Sequence, residues 1–119
     1  MKRDKITISE NTVIVTGSNI WMTEAEIVEL FGTTAGAVYA GIKTIFKENA
    51  LHDYEVCKCI RLDSGNSADV YNMEVVVALA FRLNTYPASV FRKWLIKRAT
   101  APRRTTPPIV IQYKDGLLN

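Results

Sequence analysis

Two periodicities divide the chain. Apolar and polar residues alternate at 6–9 and at 12–16 around Glu10-Asn11, which predicts a short N-terminal hairpin. Gly17-Ser18-Asn19 breaks it, and Ile20 and Trp21 lead into a region of helical period. Thr23 is a good N-cap, and Glu26 is placed to complete a capping box with it. Met22 and Ile27 stand where a hydrophobic staple would be. Ile27, Leu30 and Phe31 form one apolar stripe, which Gly32 ends. Thr33 or Thr34 caps a second helix, whose buried face is Val38, Ile42, Ile45 and Phe46. A short helix, a glycine turn and a second helix over residues 23–47 have the spacing of a helix-turn-helix. An ordinary helical hairpin shares that spacing.

The second half follows the same logic. Residues 53–62 are strand-like, 63–66 form a turn cluster, and 68–71 return as a strand. A hairpin in that position can serve as a wing, or can merely close the core. Asn72 caps a helix over residues 73–83 that is apolar nearly all round, so it is predicted to be buried as the core pillar, with Phe81 inside. Its β-branched run leaves a strand as the alternative assignment. Thr85-Tyr86-Pro87 opens the last helix. That helix carries Phe91, Leu95 and Ala99 on one face and Ser89, Lys93 and Lys97 on the other. Pro102, Pro107 and Pro108 then hold an extended segment, and a strand is expected from Ile109 to Tyr113. A strand with no hairpin partner must pair elsewhere or with another chain.

The fold class expected is therefore α+β: a helix-turn-helix, winged-helix-like core with two short β-hairpins and two C-terminal helices. Residues 1–100 form the domain and 101–119 an extended, proline-rich tail. At 119 residues there is room for one modest core. No apolar run reaches the ~20 residues of a membrane span, and no apolar stretch follows the basic start to make a signal peptide. Cys57 and Cys59 are one residue apart, awkward for a mutual disulfide. A cytoplasmic protein is expected.

Charge changes the picture. Residues 1–74 hold 7 basic and 11 acidic side chains, whereas residues 75–114 hold 8 basic and no acidic ones. Such asymmetry points to a polyanionic partner for the C-terminal part. A solvated basic face without a partner is the plain alternative.

Three stretches resemble a known family: IWMTEAEIVELFGTTAGAVYAGIKTIFKENAL, VYNMEVVVALAFRLNT and SVFRKWLIKRAT. In order and spacing over residues 20–100 they resemble the N-terminal domain of the virulence RhuM family. That family carries a W-L-T-x-x-x-[IM]-A-x-L-F start, an H-I-K-N-I-F helix, a Y-N-L-D-V-I-I-S-V-G-Y-R segment and an F-R-x-W helix. The last of these also looks like phage antirepressor N-terminal domains. The resemblance implies a bacterial, mobile-element- or virulence-associated protein with a DNA-binding, transcription-regulatory role. Members of the family usually carry polar residues at the start of the second helix. Here those positions are Ala35, Gly36 and Ala37, which cannot make the bidentate contacts of base reading. Weakly sequence-specific binding of duplex DNA through phosphates is the expectation. The candidate contacts are Thr34, Tyr39, Lys43, Lys47, Arg92, Lys93, Lys97, Arg103 and Arg104.

The small residues support a second reading. Gly36 with Ala40, and Ala37 with Gly41, place small side chains four apart. Two helical glycines cost about 1 kcal/mol each relative to alanine, which close approach of another backbone would offset. On that reading the domain is a protein-interaction or oligomerisation module, and a homodimer forms through the Gly36/Ala40 face or the 109–113 strand. His52, Asp53, Cys57 and Cys59 lack a known zinc spacing, so no metal and no cofactor are expected. With no nucleophile–base set and no phosphate loop, an enzyme is not expected.

Overall fold

The computed structural model describes residues 2–48 and 51–101. Two small antiparallel sheets and five helices make it an α+β chain over those residues. The N-terminal hairpin is β1 (Ile6–Ser9) and β2 (Thr12–Val15), in the register Ile6↔Val15 to Ser9↔Thr12. Its turn places Glu10 at φ 54, a left-handed value. A two-residue strand, β3 (Trp21–Met22), leads into α1 (Glu24–Phe31). The capping box at Thr23 and Glu26 is present in both directions. Gly32 ends α1 at φ 59, a conformation that favours a residue without Cβ. The second helix, α2 (Ala35–Lys47), starts at Thr34, whose hydroxyl accepts from the Ala37 N–H at 3.1 Å.

A single turn, α3 (Asp53–Val56), precedes the second hairpin, β4 (Cys57–Arg61) and β5 (Ser67–Asn72). The strand-like reading of residues 53–56 is thus corrected. Val56 is buried there, and acidic Asp53 and Glu55 suit a first helical turn. In the second sheet the order is β3-β5-β4, with Trp21 opposite Asn72 and Met22 opposite Tyr71. The sequence reading had no strand at Trp21. A two-residue strand has no period of its own, and this one exists because β5 offers it an edge.

Asn72 caps α4 (Met73–Ala80), its side chain accepting from the Glu74 and Val75 N–H groups. Val75, Val76, Leu79 and Ala80 are buried, so the segment is a helix and forms the core pillar. Phe81 is not part of it. The helix closes at Ala80, and the Phe81 ring is 55% exposed. The last helix, α5 (Tyr86–Thr100), begins at Thr85, with Pro87 in the first turn. The Thr85 hydroxyl donates to the Phe31 carbonyl at 2.6 Å, which fastens the start of α5 to the end of α1. Phe31 and Phe91 meet edge to face at 5.7 Å between centroids beneath that contact, both fully buried. Leu95 is half-buried on the same helix and Ala99 is exposed, so the apolar face of α5 fades towards its end. Residues 102–119, with the expected 109–113 strand, lie outside the described residues. No described helix is long and apolar enough to cross a membrane.

Candidate nucleic-acid interface

Helix α2 packs on α1 and α4 through Val38, Ile42 and Ile45. This leaves Gly36, Tyr39, Ala40, Lys43 and Lys47 exposed on the far side. These are the residues that a 100° projection of the sequence puts there. Tyr39 is 58% exposed, with the Lys43 ammonium 5.9 Å from its ring centroid. Thr34 is exposed, but its hydroxyl is committed to the cap.

The two helical glycines separate in role. A Cβ on Gly41 would lie 2.6 Å from Cδ2 of buried Leu79, so Gly41 is what lets α2 approach α4. The close approach that its sequence suggested is thus made within the chain. At Gly36 a Cβ would meet nothing within 4 Å.

Beside the helix pair stands the β4–β5 hairpin. The Lys58 ammonium lies 4.3 Å from the Trp21 ring centroid, tying β4 across to β3. Arg61 is exposed near the tip, where Gly65 turns the chain at φ 93. Burial, and then the Asp69 carboxylate, push the Cys57 thiol up from its ordinary range. Burial likewise pushes the Tyr71 phenol up. Cys57 and Cys59 are both free thiols. His52 stacks on Tyr54 at 5.5 Å, and among the described residues no three metal-binding side chains converge.

The basic C-terminal half divides into held and free cations. Arg82 pairs with Glu48 at 2.6 Å. Arg92 is half-buried, and its Nη1 donates to the Ala80 carbonyl at 2.7 Å and the Leu83 carbonyl at 2.8 Å. These carbonyls close the end of α4, so Arg92 is anchored as a helix clamp rather than presented outward. Lys93 and Lys97 are exposed on α5, and Arg98 stacks its guanidinium 5.1 Å from the Trp94 centroid. Arg103 and Arg104 lie outside the described residues. Helix α5 packs on α1, α4 and the N-terminal hairpin, while α2 packs on α1 and α4. The Lys43/Lys47 and Lys93/Lys97 pairs are therefore on two helices that share the same neighbours. Sequence reasoning passed over Lys58, Arg61 and Arg98. The hairpin position marked the first two, and i+4 spacing from Trp94 marked the third.

No protein-family model matches the chain, and no curated protein or solved structure matches it.

Proposed function

We propose that this chain binds duplex DNA, mainly through phosphates and with little base reading, in a regulatory role of the kind its resemblance implies. The observation that supports this best is the surface of α2. Tyr39, Lys43 and Lys47 face solvent on the second helix of a glycine-turned pair. In a helix-turn-helix that helix enters the major groove. The β4–β5 hairpin follows the helix pair in the chain, where a hairpin can act as a wing, and it carries Lys58 and Arg61. Lys93, Lys97 and Arg98 add a second cationic surface on α5. The reading is non-enzymatic and cytoplasmic. Phosphate contact by lysines releases counterions, so log K falls linearly with log salt, at about −0.9 per phosphate. A titration with mixed-sequence duplexes at several salt concentrations tests it. Binding that tightens steadily as salt is lowered is expected, and absent or salt-insensitive binding would refute the proposal.

One observation favours a second reading, an interaction or oligomerisation module. The surface at Gly36 is open, and Ala40 one turn on is exposed beside it. The Gly41 half of that stripe is already used against Leu79. Light scattering at high micromolar concentration tests its homodimer form, which a monomer removes.

A further inference from the structure

The outer edge of the N-terminal hairpin offers a free row of main-chain groups. The Thr16 N–H donates to the Lys5 carbonyl at 3.0 Å, so Lys5 and Thr16, one step beyond Ile6↔Val15, form a hydrogen-bonded pair. Bonded and non-bonded pairs alternate along antiparallel strands. Thr7↔Ile14 and Ser9↔Thr12 are therefore the bonded pairs of β1 and β2. The N–H and C=O groups of Val13 and Val15 point the other way, away from β1. Among the described residues no strand pairs with that edge. The strand itself is two-faced. Val13 is buried and Val15 half-buried on the core side, while Ile14 is 53% exposed on the other.

Helix α5 lies alongside this edge and sets a direction. At its start the Tyr86 hydroxyl donates to the Asn11 side chain, next to the first residue of β2. Towards its end Trp94 and Arg98 line an open depression with Val13, Val15, Gly17 and Ser18. The helix thus runs in the same sense as β2, and Ala101 leaves it in an extended conformation at the Ser18 end of the strand. Residues 101–108 come next, eight in all, with a reach of at most about 26–29 Å. That is enough for a turn and a return along β2, whose four residues span about 13 Å. The residues that follow are Ile109, Val110, Ile111, Gln112 and Tyr113. In an extended segment Ile109, Ile111 and Tyr113 share one face, and Val110 and Gln112 the other.

We propose that residues 109–113 dock on the open edge of β2 as a third, antiparallel strand, with Ile109 opposite Val15 and Ile111 opposite Val13. In this register Ile109 and Ile111 cover the depression beside Trp94, on the core side. Val110 meets exposed Ile14 and Gln112 meets Thr12, apolar with apolar and polar with polar. A slip by one residue turns Ile109 and Ile111 out to solvent. Pro108 stands just outside the ladder, where its missing N–H costs no bond. The segment is tethered to the helix that flanks the edge, so its local concentration is about millimolar, which favours it over a free partner. The site does not involve α2, and it stands or falls independently of DNA binding.

Nuclear Overhauser contacts and amide exchange of the full-length chain test it. Contacts between Val15 and Ile109, and between Val13 and Ile111, are expected. Exchange of the Val13 and Val15 amides should be about tenfold or more slower in the parent than in Ile111→Pro. That variant removes a ladder N–H from the docking strand and leaves residues 1–101 unaltered, and unchanged core resonances verify its fold. An equal mixture of labelled and unlabelled chains distinguishes docking in one chain from exchange between copies. Contacts within one chain are expected, and contacts only between labelled and unlabelled chains would give the edge to a second copy and overturn the proposal. So would equal exchange of Val13 and Val15 in parent and variant, or contacts of residues 109–113 elsewhere on the molecule.

Discussion

Two phenylalanines ten residues apart have opposite fates. Phe91 is fully buried against Phe31, whereas Phe81 is 55% exposed at the end of α4. Phe91→Ala should lower stability by about 3–5 kcal/mol, the range for removing a core aromatic. Phe81→Ala should change it by less than about 1 kcal/mol. Denaturant unfolding of the two variants would show the ranking, and similar losses would contradict it. Glu26 makes a different kind of contribution. Its carboxylate accepts from Arg3 Nη1 at 2.7 Å, from Nη2 at 3.2 Å, and from the Thr23 N–H at 2.8 Å. Burial works to raise its pKa, but the Arg3 and Thr23 contacts outweigh that, and it settles below its ordinary value. A group with a depressed folded pKa stabilises the fold above its unfolded pKa, and that stability is lost as pH falls through the folded value. Glu26→Gln keeps the capping box and loses the charge. Its Tm should be below the parent's at neutral pH, with the gap closing as pH drops below 4.5. A gap that persists unchanged in acid would show that the charge is not its source.

At the scale of elements, helix α2 carries its own internal control. Gly36→Ala adds a Cβ into open space and gains helix propensity, so it should stabilise by about 0.5–1 kcal/mol. Gly41→Ala gains the same propensity but drives a Cβ to 2.6 Å from the buried Leu79 side chain. Overpacking of about 1–3 kcal/mol outweighs the gain, and this variant should be destabilised. Thermal unfolding of the pair reads the difference, and two stabilised variants would mean that α2 and α4 can part easily. The caps of α1, α2, α4 and α5 were legible in the sequence because each is a contract between residues two or three apart. The exposed face of α2 was legible for the same reason. What escaped was set by distant chain. Trp21 is a strand only because of Asn72 and Tyr71. Arg92 reads as a surface cation until the Ala80 and Leu83 carbonyls are brought to it. Nothing local distinguishes Phe81 from Phe91.

For the whole molecule, the proposed DNA contact turns on which cations are free. If Lys43, Lys47, Lys93 and Lys97 with one or two arginines of β4 or α5 meet phosphates, the salt slope should be about −4.5 to −5.5. Lys93→Ala with Lys97→Ala should flatten it by about 2 and weaken all duplexes alike. Arg92→Met should leave the slope unchanged and lower stability, since it removes a charged donor from two carbonyls. Tyr39→Ala should not alter sequence preference, because Ala35, Gly36 and Ala37 leave little base reading to disturb. Binding isotherms over a range of salt, for these variants and two unrelated duplexes, measure all of this. A sequence-selective loss from Tyr39→Ala would show that α2 reads bases after all.

The bond from Thr85 to the Phe31 carbonyl joins residues 54 apart, and the pairing of Trp21 with Asn72 spans a similar stretch. Both closures engage the first helix and the strand before it. During synthesis, then, the N-terminal third leaves the ribosome with neither its neighbouring strand nor the helix that roofs its core. Ile27 and Phe31 remain uncovered until α4 and α5 have emerged. Folding of this chain is in that sense late: closure of a loop of 54 residues precedes the contacts that α5 makes with the helix pair. A nascent chain stalled before Thr85 would expose the apolar stripe of α1 for as long as the stall lasts.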